Sequence, residues 1–372
     1  MNVNSELRAI IDRFEFEGAL TECEEIVVGH VNRTYRLRFT QSGAARDYVL
    51  QRINTFAFRK PAEVMENVAL VTDHLRRAMR RQGRNPDNRV LRLVPVRGGG
   101  FMVLEGEECW RAYDFITHAR TVNRVDSPAQ FSQIGKAFGE FQNMLSDFPI
   151  EKLHDTIPFF HDTRKRFADF ERSVAADVAG RAANAPEEIA FVRARGESMG
   201  RIVDMLKSGE LPLRVTHNDT KINNVMLDVD TGEALCVIDL DTVMAGSSLY
   251  DFGDAIRFGA STAAEDEADL SRVALDIDLF RGFSEGFIAQ TVDSLWPAEL
   301  NSLPLGALVM TYEVGMRFLA DYLDGDQYFR VEYPEHNLVR ARCQFRLLAD
   351  MEAKRGQMDA IVRELIEKER RA

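Results

Sequence analysis

The sequence predicts an α+β protein of two lobes, in which a small antiparallel-sheet lobe precedes a larger, mainly helical lobe. In the first third of the chain, short apolar runs with alternating side chains are separated by polar turns, as expected for strands. In the remainder, apolar residues recur every three or four positions over long segments, which is the spacing of amphipathic helices. The chain has 372 residues, enough to give each lobe its own hydrophobic core. We expect residues 1–113 to form the first lobe and residues 114–372 the second.

The elements of the first lobe follow from its apolar runs and turns. A short amphipathic helix is predicted at the N-terminus, and a longer helix begins at Pro61, a residue that favours the first helical turn. The strands are predicted over residues 25–28, 35–39, 48–53, 91–96, 101–104 and 109–116.

Five residues of this lobe are candidates for binding a nucleotide. Gly29, Asn32 and Thr34 belong to the polar turn before the second strand, which would fold over the phosphates. Arg52 is the only basic side chain inside the third strand, over residues 48–53. Glu66 lies in the following helix, where a carboxylate could pair with that cation and hold it at the phosphates. A strand with one Arg and a helix with Glu are common, so these features count only in combination with the second lobe.

The second lobe is predicted to be helical on both sides of a central stretch, residues 213–254. Within that stretch, two apolar runs, 225–227 and 235–238, flank an Asp/Thr/Gly turn and predict a β-hairpin. The last segment is rich in Arg and Glu, which favours a solvated helix face. Helices are predicted over residues 127–145, 164–178, 186–207, 249–258, 276–287, 305–323 and 336–372.

The central stretch carries the spacing His217-x-Asp219-x-x-x-x-Asn224, and Asp239 follows its last apolar run. Phosphoryl transfer requires this layout, because one Asp meets the acceptor hydroxyl while an amide oxygen and a second carboxylate hold Mg²⁺ on the nucleotide phosphates. Asp219 is therefore the candidate catalytic base, since a hydroxyl is too weak an acid to lose its proton beforehand. Asn224 and Asp239 are the candidate metal ligands. His217 is expected to hold the loop through backbone hydrogen bonds.

Two further residues of the stretch are candidates for supporting roles. Lys221 lies two positions after Asp219 and could neutralise the γ-phosphate. Asp241 is a second carboxylate two positions beyond Asp239 and could assist the metal. A polar loop between strands is often only a loop, but the combined spacing favours the catalytic interpretation.

Composition excludes several other classes of protein. The net charge of −12 argues against nucleic acid or an anionic membrane surface as the main partner. The four cysteines show no metal-binding spacing and are expected to be reduced thiols in the cytoplasm. No apolar run reaches the ~18 residues that span a bilayer. Oligomeric state is left open.

The motif of the central stretch resembles the aminoglycoside phosphotransferase and choline kinase-like family, whose members share a bilobal protein-kinase-like fold and phosphorylate hydroxyls of small molecules. Longer segments are similar to one group within it, the N-acetylhexosamine 1-kinases. Among these segments are GHVNRTY at 29–35, THNDTK at 216–221, VIDLDT at 237–242 and LYDFGDAIRFG at 249–259. The resemblance implies ATP and Mg²⁺ as cofactors and transfer of the γ-phosphate to the anomeric 1-hydroxyl of GlcNAc or GalNAc.

The resemblance also implies roles for individual residues. Asp219 would be the base, Asn224 and Asp239 the magnesium ligands, and Arg52 with Glu66 the pair that positions the phosphates. Arg52 departs from the Lys found in many related enzymes.

The acceptor site is expected on the helix over residues 305–323. Glu313, Arg317 and Asp321 are spaced by four residues there and share one face. A surface ladder of ion pairs is the simpler interpretation of that spacing. Because the resemblance extends over this helix, we expect Arg317 to contact the sugar and Asp321 to support it.

Two alternatives remain open at this point. The first is a kinase of another sugar or of an amino-alcohol, either choline-like or aminoglycoside-like. The second is a pseudokinase that binds nucleotide as a scaffold, although such a protein would not need Asp219, Asn224, Asp239 and Arg52 together.

Overall fold

The computed structural model of the protein describes residues 4–26 and 32–371 and confirms the predicted α+β architecture. The N-terminal part is built around a five-stranded sheet with the order β1-β2-β3-β5-β4, in which all neighbouring strands are antiparallel. Its strands are β1 (Ala19–Ile26), β2 (Arg33–Gln41), β3 (Ala44–Ile53), β4 (Val103–Glu105) and β5 (Glu108–Asp114).

Both faces of this sheet are covered, and they bury different residues. Tyr48 and Leu50 of β3 pack on one face with Ile11 of helix α1 (Ser5–Ile11). Ile53 of β3 packs on the other face with Val68 of helix α2 (Pro61–Arg81). Because side chains alternate along a strand, a residue's parity in β3 decides whether it faces α1 or α2.

The C-terminal part is mainly helical, as predicted. Two small sheets interrupt the helices and frame the loop that carries Asp219. One sheet has the order β6-β8-β9 and the other pairs β10 with β7. The strands are β6 (Ala119–Arg120), β7 (Arg214–Thr216), β8 (Val225–Asp228), β9 (Ala234–Val237) and β10 (Met244–Gly246). The helices are α3 (Pro128–Met144), α4 (Thr163–Ala176), α5 (Pro186–Met199), α6 (Arg201–Ser208), α7 (Ser248–Gly259), α8 (Ile277–Thr291), α9 (Pro297–Asn301), α10 (Leu303–Leu323) and α11 (His336–Glu369).

The hairpin predicted in the central stretch is confirmed as the antiparallel pair β8–β9. The earlier run, over residues 213–215, belongs to β7 and pairs with β10 instead. The Asp219 loop therefore leaves one small sheet and enters the other, so both of its ends are fixed by backbone hydrogen bonds.

The prediction of a single helix over residues 186–207 is wrong. Helix α5 ends at Met199 and α6 begins at Arg201, with Gly200 between them. A Cβ placed on Gly200 would lie 2.2 Å from Nε of Arg164. That arginine pairs with Glu197 on one side of the junction and with Asp204 on the other. The missing side chain leaves room for this bridge.

Helices α3 and α8 approach each other at backbone distance. A Cβ on Gly135 would lie 2.3 Å from the carbonyl oxygen of Phe283, and one on Gly286 would lie 2.0 Å from that of Ser132. Neither distance is compatible with a side chain, so glycine at both positions allows the two helices to pack directly against each other.

The last helix has an exposed, charged surface, as its composition favoured, but it also buries many apolar residues. Helix α11 packs along α10 and buries one face, which includes Leu338, Leu347, Met351 and Ile361. Several of its charged residues pair with neighbouring helices, Arg342 and Glu352 with α5 and Glu364 and Lys368 with α8. Of the helices within residues 4–26 and 32–371, none combines the length and the apolar character that crossing a bilayer requires.

Candidate active site

The loop between β7 and β8 is held in shape by His217, as the sequence suggested. The backbone N–H of Asp219 donates to Nδ1 of His217 over 3.3 Å, and Nε2 of the same ring donates to the carbonyl of Ile238 over 2.9 Å. The ring is fully buried between Phe138 and Phe141 of α3. His217 thus connects the candidate base to the residue that precedes Asp239.

Asp251 of α7 also fixes this loop, through backbone hydrogen bonds. Its buried carboxylate accepts the backbone N–H of His217 at 2.9 Å and that of Asn218 at 2.8 Å. Asn218 has a φ of 63°, a left-handed conformation that costs free energy outside glycine. The two backbone hydrogen bonds stabilise that conformation and so fix the position of the following Asp219, between the two small sheets and the five-stranded sheet.

Asp219 makes contacts that keep it ionised. Its Oδ1 lies 3.0 Å from Nζ of Lys221, and its Oδ2 accepts from Nδ2 of Asn224 at 3.2 Å. Desolvation opposes ionisation, but the charge of Lys221 and the hydrogen bonds from Lys221 and Asn224 outweigh it, so the pKa of Asp219 lies below its ordinary value. An ionised carboxylate is the form that can accept a proton.

Asn224 and Asp239 provide oxygen donors of the kind that Mg²⁺ prefers. Nδ2 of Asn224 is committed to Asp219, which leaves its Oδ1 as the free ligand atom. Asp239 has a φ of 61°, and its side chain is open to the cleft. Desolvation, together with the nearby carboxylates of Asp241 and Asp219, raises the pKa of Asp239 to about 6. A divalent cation would relieve this crowding of negative charge, so the donor set fits the metal.

Asp241 has a different environment from the one expected. Both of its oxygens are engaged: Oδ1 pairs with the buried guanidinium of Arg111 in β5, and Oδ2 accepts from Nδ2 of Asn32 at 2.9 Å. The chain turns at Leu240–Thr242, which directs Asp241 toward the five-stranded sheet. In this arrangement Asp241 is a counter-ion of Arg111 and not a free metal ligand.

The expected pair of Arg52 and Glu66 does not form. Nη1 of Arg52 bonds Glu108 of β5 at 2.6 Å, and Glu66 bonds His154 at 2.8 Å. The reason is strand parity, since Arg52 shares the face of Tyr48 and Leu50, which is directed away from α2.

Two of the three turn residues expected at the phosphates can be placed. Asn32 joins the sheet to Asp241, and its Oδ1 also accepts the backbone N–H of Asn54 at 3.0 Å. Thr34 accepts from Nε2 of Gln51 at 3.2 Å. Gly29 lies outside the described residues.

A histidine that sequence reasoning missed connects the loop to α10. Nε2 of His161 donates to the carbonyl of Asn218 at 3.1 Å, while Nδ1 lies 2.7 Å from Oε1 of Glu313. The other oxygen of Glu313 accepts from Thr163 at 2.6 Å, and the pKa of this buried carboxyl lies below its ordinary value because His161 and Thr163 outweigh desolvation. The ring of His161 therefore bridges the backbone of the Asp219 loop and the carboxylate of Glu313. The only sequence signal was a His inside an aromatic loop.

Arg317 and Arg166 form the cationic wall, the surface next to His161. The guanidinium of Arg317 lies 5.3 Å from the ring centroid of Phe160, 5.6 Å from that of Tyr328 and 5.5 Å from that of Phe329. Arg166 donates to the carbonyl of Phe160, and burial and Arg317 lower its pKa. Within the described part of the chain, neither arginine forms an ion pair.

Asp321 supports this wall only indirectly. Its Oδ1 accepts the backbone N–H groups of Gln327 and Tyr328, and its Oδ2 accepts that of Phe329 and the side chain of Asn337. All four bonds are 2.8–2.9 Å long, and the residue is buried. The carboxylate of Asp321 thus fixes the loop that carries Tyr328 and Phe329, and its expected support of Arg317 is structural.

A sheet lobe, a helical lobe and this arrangement of Asp219, Asn224 and Asp239 are the features of a kinase-like phosphotransferase. The sequence profile of the phosphotransferase enzyme family matches residues 22–283, which is most of the chain. The chain belongs to that family, and it is a small-molecule kinase of the aminoglycoside phosphotransferase and choline kinase-like type.

Several solved structures share this fold. A microcompartment-associated aminopropanol kinase is 15% identical, with 95% of this chain and 98% of that chain covered and a TM-score of 0.61. A choline kinase from Cryptosporidium parvum is 14% identical over 93% of both chains, with a TM-score of 0.58. A spectinomycin phosphotransferase, in complex with ADP and spectinomycin, is 13% identical over 96% of this chain and all of that chain, with a TM-score of 0.57. At such identities the similarity shows the fold alone.

Proposed function

We propose that this protein uses ATP and Mg²⁺ to phosphorylate the anomeric 1-hydroxyl of an N-acetylhexosamine, GlcNAc or GalNAc. The proposal rests on one structural observation, the cationic wall of Arg317 and Arg166 beside the Asp219 loop. A carboxylate neighbour exists in Glu313, but His161 and Thr163 occupy its oxygens.

The cationic wall discriminates between classes of acceptor. Choline, aminopropanol and spectinomycin are positively charged near neutral pH. Arg317 and Arg166, which pair with no carboxylate among residues 4–26 and 32–371, would repel them. A sugar is uncharged and rich in oxygen acceptors, and an acetamido group adds a carbonyl. Guanidinium N–H groups can donate to these oxygens, and the rings of Phe160 and Tyr328 can pack against the apolar face of a pyranose.

The chemistry follows from the geometry of the loop. Asp219, kept ionised by Lys221, orients the acceptor hydroxyl and accepts its proton as the new P–O bond forms. Asn224 and Asp239 would hold Mg²⁺, which when bound neutralises charge on the nucleotide phosphates. Lys221 lies beside the reaction centre and can stabilise negative charge on the transferred phosphoryl group.

ADP release over a panel of acceptors tests the proposal. We expect turnover with GlcNAc or GalNAc and none with choline, aminopropanol or spectinomycin. The 1-O-methyl glycoside of the reacting sugar is the matched control, because only its anomeric hydroxyl is blocked, and it should be inert. Turnover of an amino compound, without turnover of either sugar, would refute the assignment and favour the amino-alcohol alternative. The absence of ADP release with every acceptor, combined with intact ADP binding, would favour the scaffold.

A further inference from the structure

The five-stranded sheet carries a second arginine of interest, Arg111 of β5. It lies on the face that packs against α2, whereas Arg52 lies on the opposite face. Gln51 and Arg111 are register partners in β3 and β5. Arg111 shares its parity with Cys109 and Tyr113, which pack with α2 on the cleft side of the sheet. Nε of Arg111 donates to Oε1 of Gln51 at 3.0 Å, which fixes the plane of the guanidinium.

Arg111 is also linked, through Asp241, to a residue that was expected at the phosphates. It pairs with Asp241, two residues after Asp239, and its side chain is only 1% exposed. Asn32, from the turn that leads into β2, binds the other oxygen of Asp241. The buried ion pair of Arg111 and Asp241, together with Asn32, therefore connects three segments: β5, the start of β2 and the segment that follows Asp239.

The guanidinium is not fully consumed by these contacts. Nε is bonded to Gln51 and Nη1 to Asp241, whereas Nη2 has no hydrogen-bond acceptor within residues 4–26 and 32–371. The planar fork of an arginine suits a phosphate oxygen, and an N–H that donates to a charged oxygen forms a strong bond. The hydroxyl of neighbouring Tyr113 is buried and has no hydrogen-bond partner among the described residues.

We propose that Arg111, and not Arg52, is the cation of the sheet that binds the nucleotide phosphates, with Asp241 and Gln51 as the residues that position it. This inference rests on the proposed use of ATP. It assigns Arg52, which pairs with the partly exposed Glu108, to the opposite face of the sheet, where it has no part in binding.

Binding of ADP and of adenosine, measured by calorimetry at constant Mg²⁺, separates a phosphate contact from a structural effect. The main variant is the double substitution Arg111→Met/Asp241→Asn, which removes both charges and leaves neither buried alone. We expect ADP to bind at least tenfold more weakly to it, while adenosine binds as to the wild type. Arg52→Met is the matched control, and it should bind ADP normally.

Three results would overturn the inference. The first is ADP affinity in the double variant within twofold of the wild type. The second is an equal loss of ADP and adenosine binding, which would indicate a structural role, and the third is a tenfold loss of ADP binding in Arg52→Met. If circular dichroism shows the double variant to be unfolded, Arg111→Lys replaces it under the same criteria with a several-fold expected loss. A wild-type protein that binds no ADP would instead refute the proposed function itself.

Discussion

Arg317→Met is the substitution that most directly tests the acceptor site. It removes the charge and the N–H donors but keeps an unbranched chain that can pack on the rings of Phe160, Tyr328 and Phe329. We expect a selective loss of activity toward the sugar, because the guanidinium is the part of the wall that is free to donate.

The magnitude follows from the contacts of Arg317. A hydrogen bond from a charged donor contributes about 1.5–3 kcal/mol, so kcat/KM for the sugar should fall about 10- to 150-fold. Stability should change little, since no ion pair is broken within the described residues and the repulsion of Arg166 is relieved. A cation–π contact contributes about 0.5–1 kcal/mol to the free energy of unfolding at a partly exposed site. Its loss should therefore lower Tm by a few degrees at most.

Steady-state kinetics with the sugar varied, with ATP varied, and thermal unfolding together provide the assay. The KM for ATP should be unchanged. Arg340→Met is the matched control, because its guanidinium also lies over a ring, that of Phe318 at 5.5 Å, and donates to the carbonyl of Arg330. The reasoning fails if Arg317→Met retains its kcat/KM, or if its activity falls only in proportion to a large loss of Tm.

Three further predictions concern residues of the same cleft and wall. Asp219→Asn should lower kcat about 10²- to 10⁴-fold while ADP binding persists, and near-normal turnover would exclude Asp219 as the base. Because a proton competes with the metal at Asp239, whose pKa is raised to about 6, the apparent Mg²⁺ affinity of the ADP complex should fall by up to about tenfold from pH 7 to pH 5. Tenfold is the upper limit, because solvent around Asp239 screens the nearby charges. An Mg²⁺ affinity that does not change between pH 7 and pH 5 would contradict the prediction. In the absence of metal the same proton stabilises the folded protein, so stability lost as pH rises from 3.8 to about 6 should be regained with Mg²⁺. Asp321→Asn should place an NH₂ group against two donors, Phe329 N–H and the Asn337 side chain, and lower the free energy of unfolding in urea by about 2–4 kcal/mol. A raised KM for the sugar with intact stability would instead identify Asp321 as a substrate ligand.

The sequence predicted the order of the two parts and the hairpin β8–β9 because these depend on local patterns. Alternation, turn residues and helical spacing are properties of neighbouring residues, and burial of the apolar face then enforces them. The role of His217 was predictable for the same reason, since its partners lie on the same short stretch of chain.

The direction in which the polar side chains of β3 point could not be predicted in this way. Arg52 and Gln51 are adjacent in the sequence, and only the packing of both sheet faces shows which of them faces the cleft. Parity was the available signal, because Arg52 follows Tyr48 and Leu50 at intervals of two. Both faces of the sheet are apolar, however, so parity alone does not distinguish them.

Contacts between residues that are far apart in the sequence could not be predicted either. Asp321 has the four-residue spacing of a helix-surface ladder, yet the loop over residues 326–329 folds back and takes both of its oxygens. His161 lies more than fifty residues from Asn218 and about one hundred and fifty from Glu313. Local sequence patterns do not predict contacts between residues this far apart in the chain.

The contact between α3 and α8 bears on how substitutions in this protein should be ranked. Helix α3 supplies Phe138 and Phe141, which hold the ring of His217, and Gln142, which donates to Asp251. A methyl group at Gly135 or Gly286 would push the helices apart and carry these supports with it. By side-chain chemistry a glycine-to-alanine exchange here is among the mildest in the chain. By position it would shift the helix that supports the Asp219 loop, at residues that carry no charge.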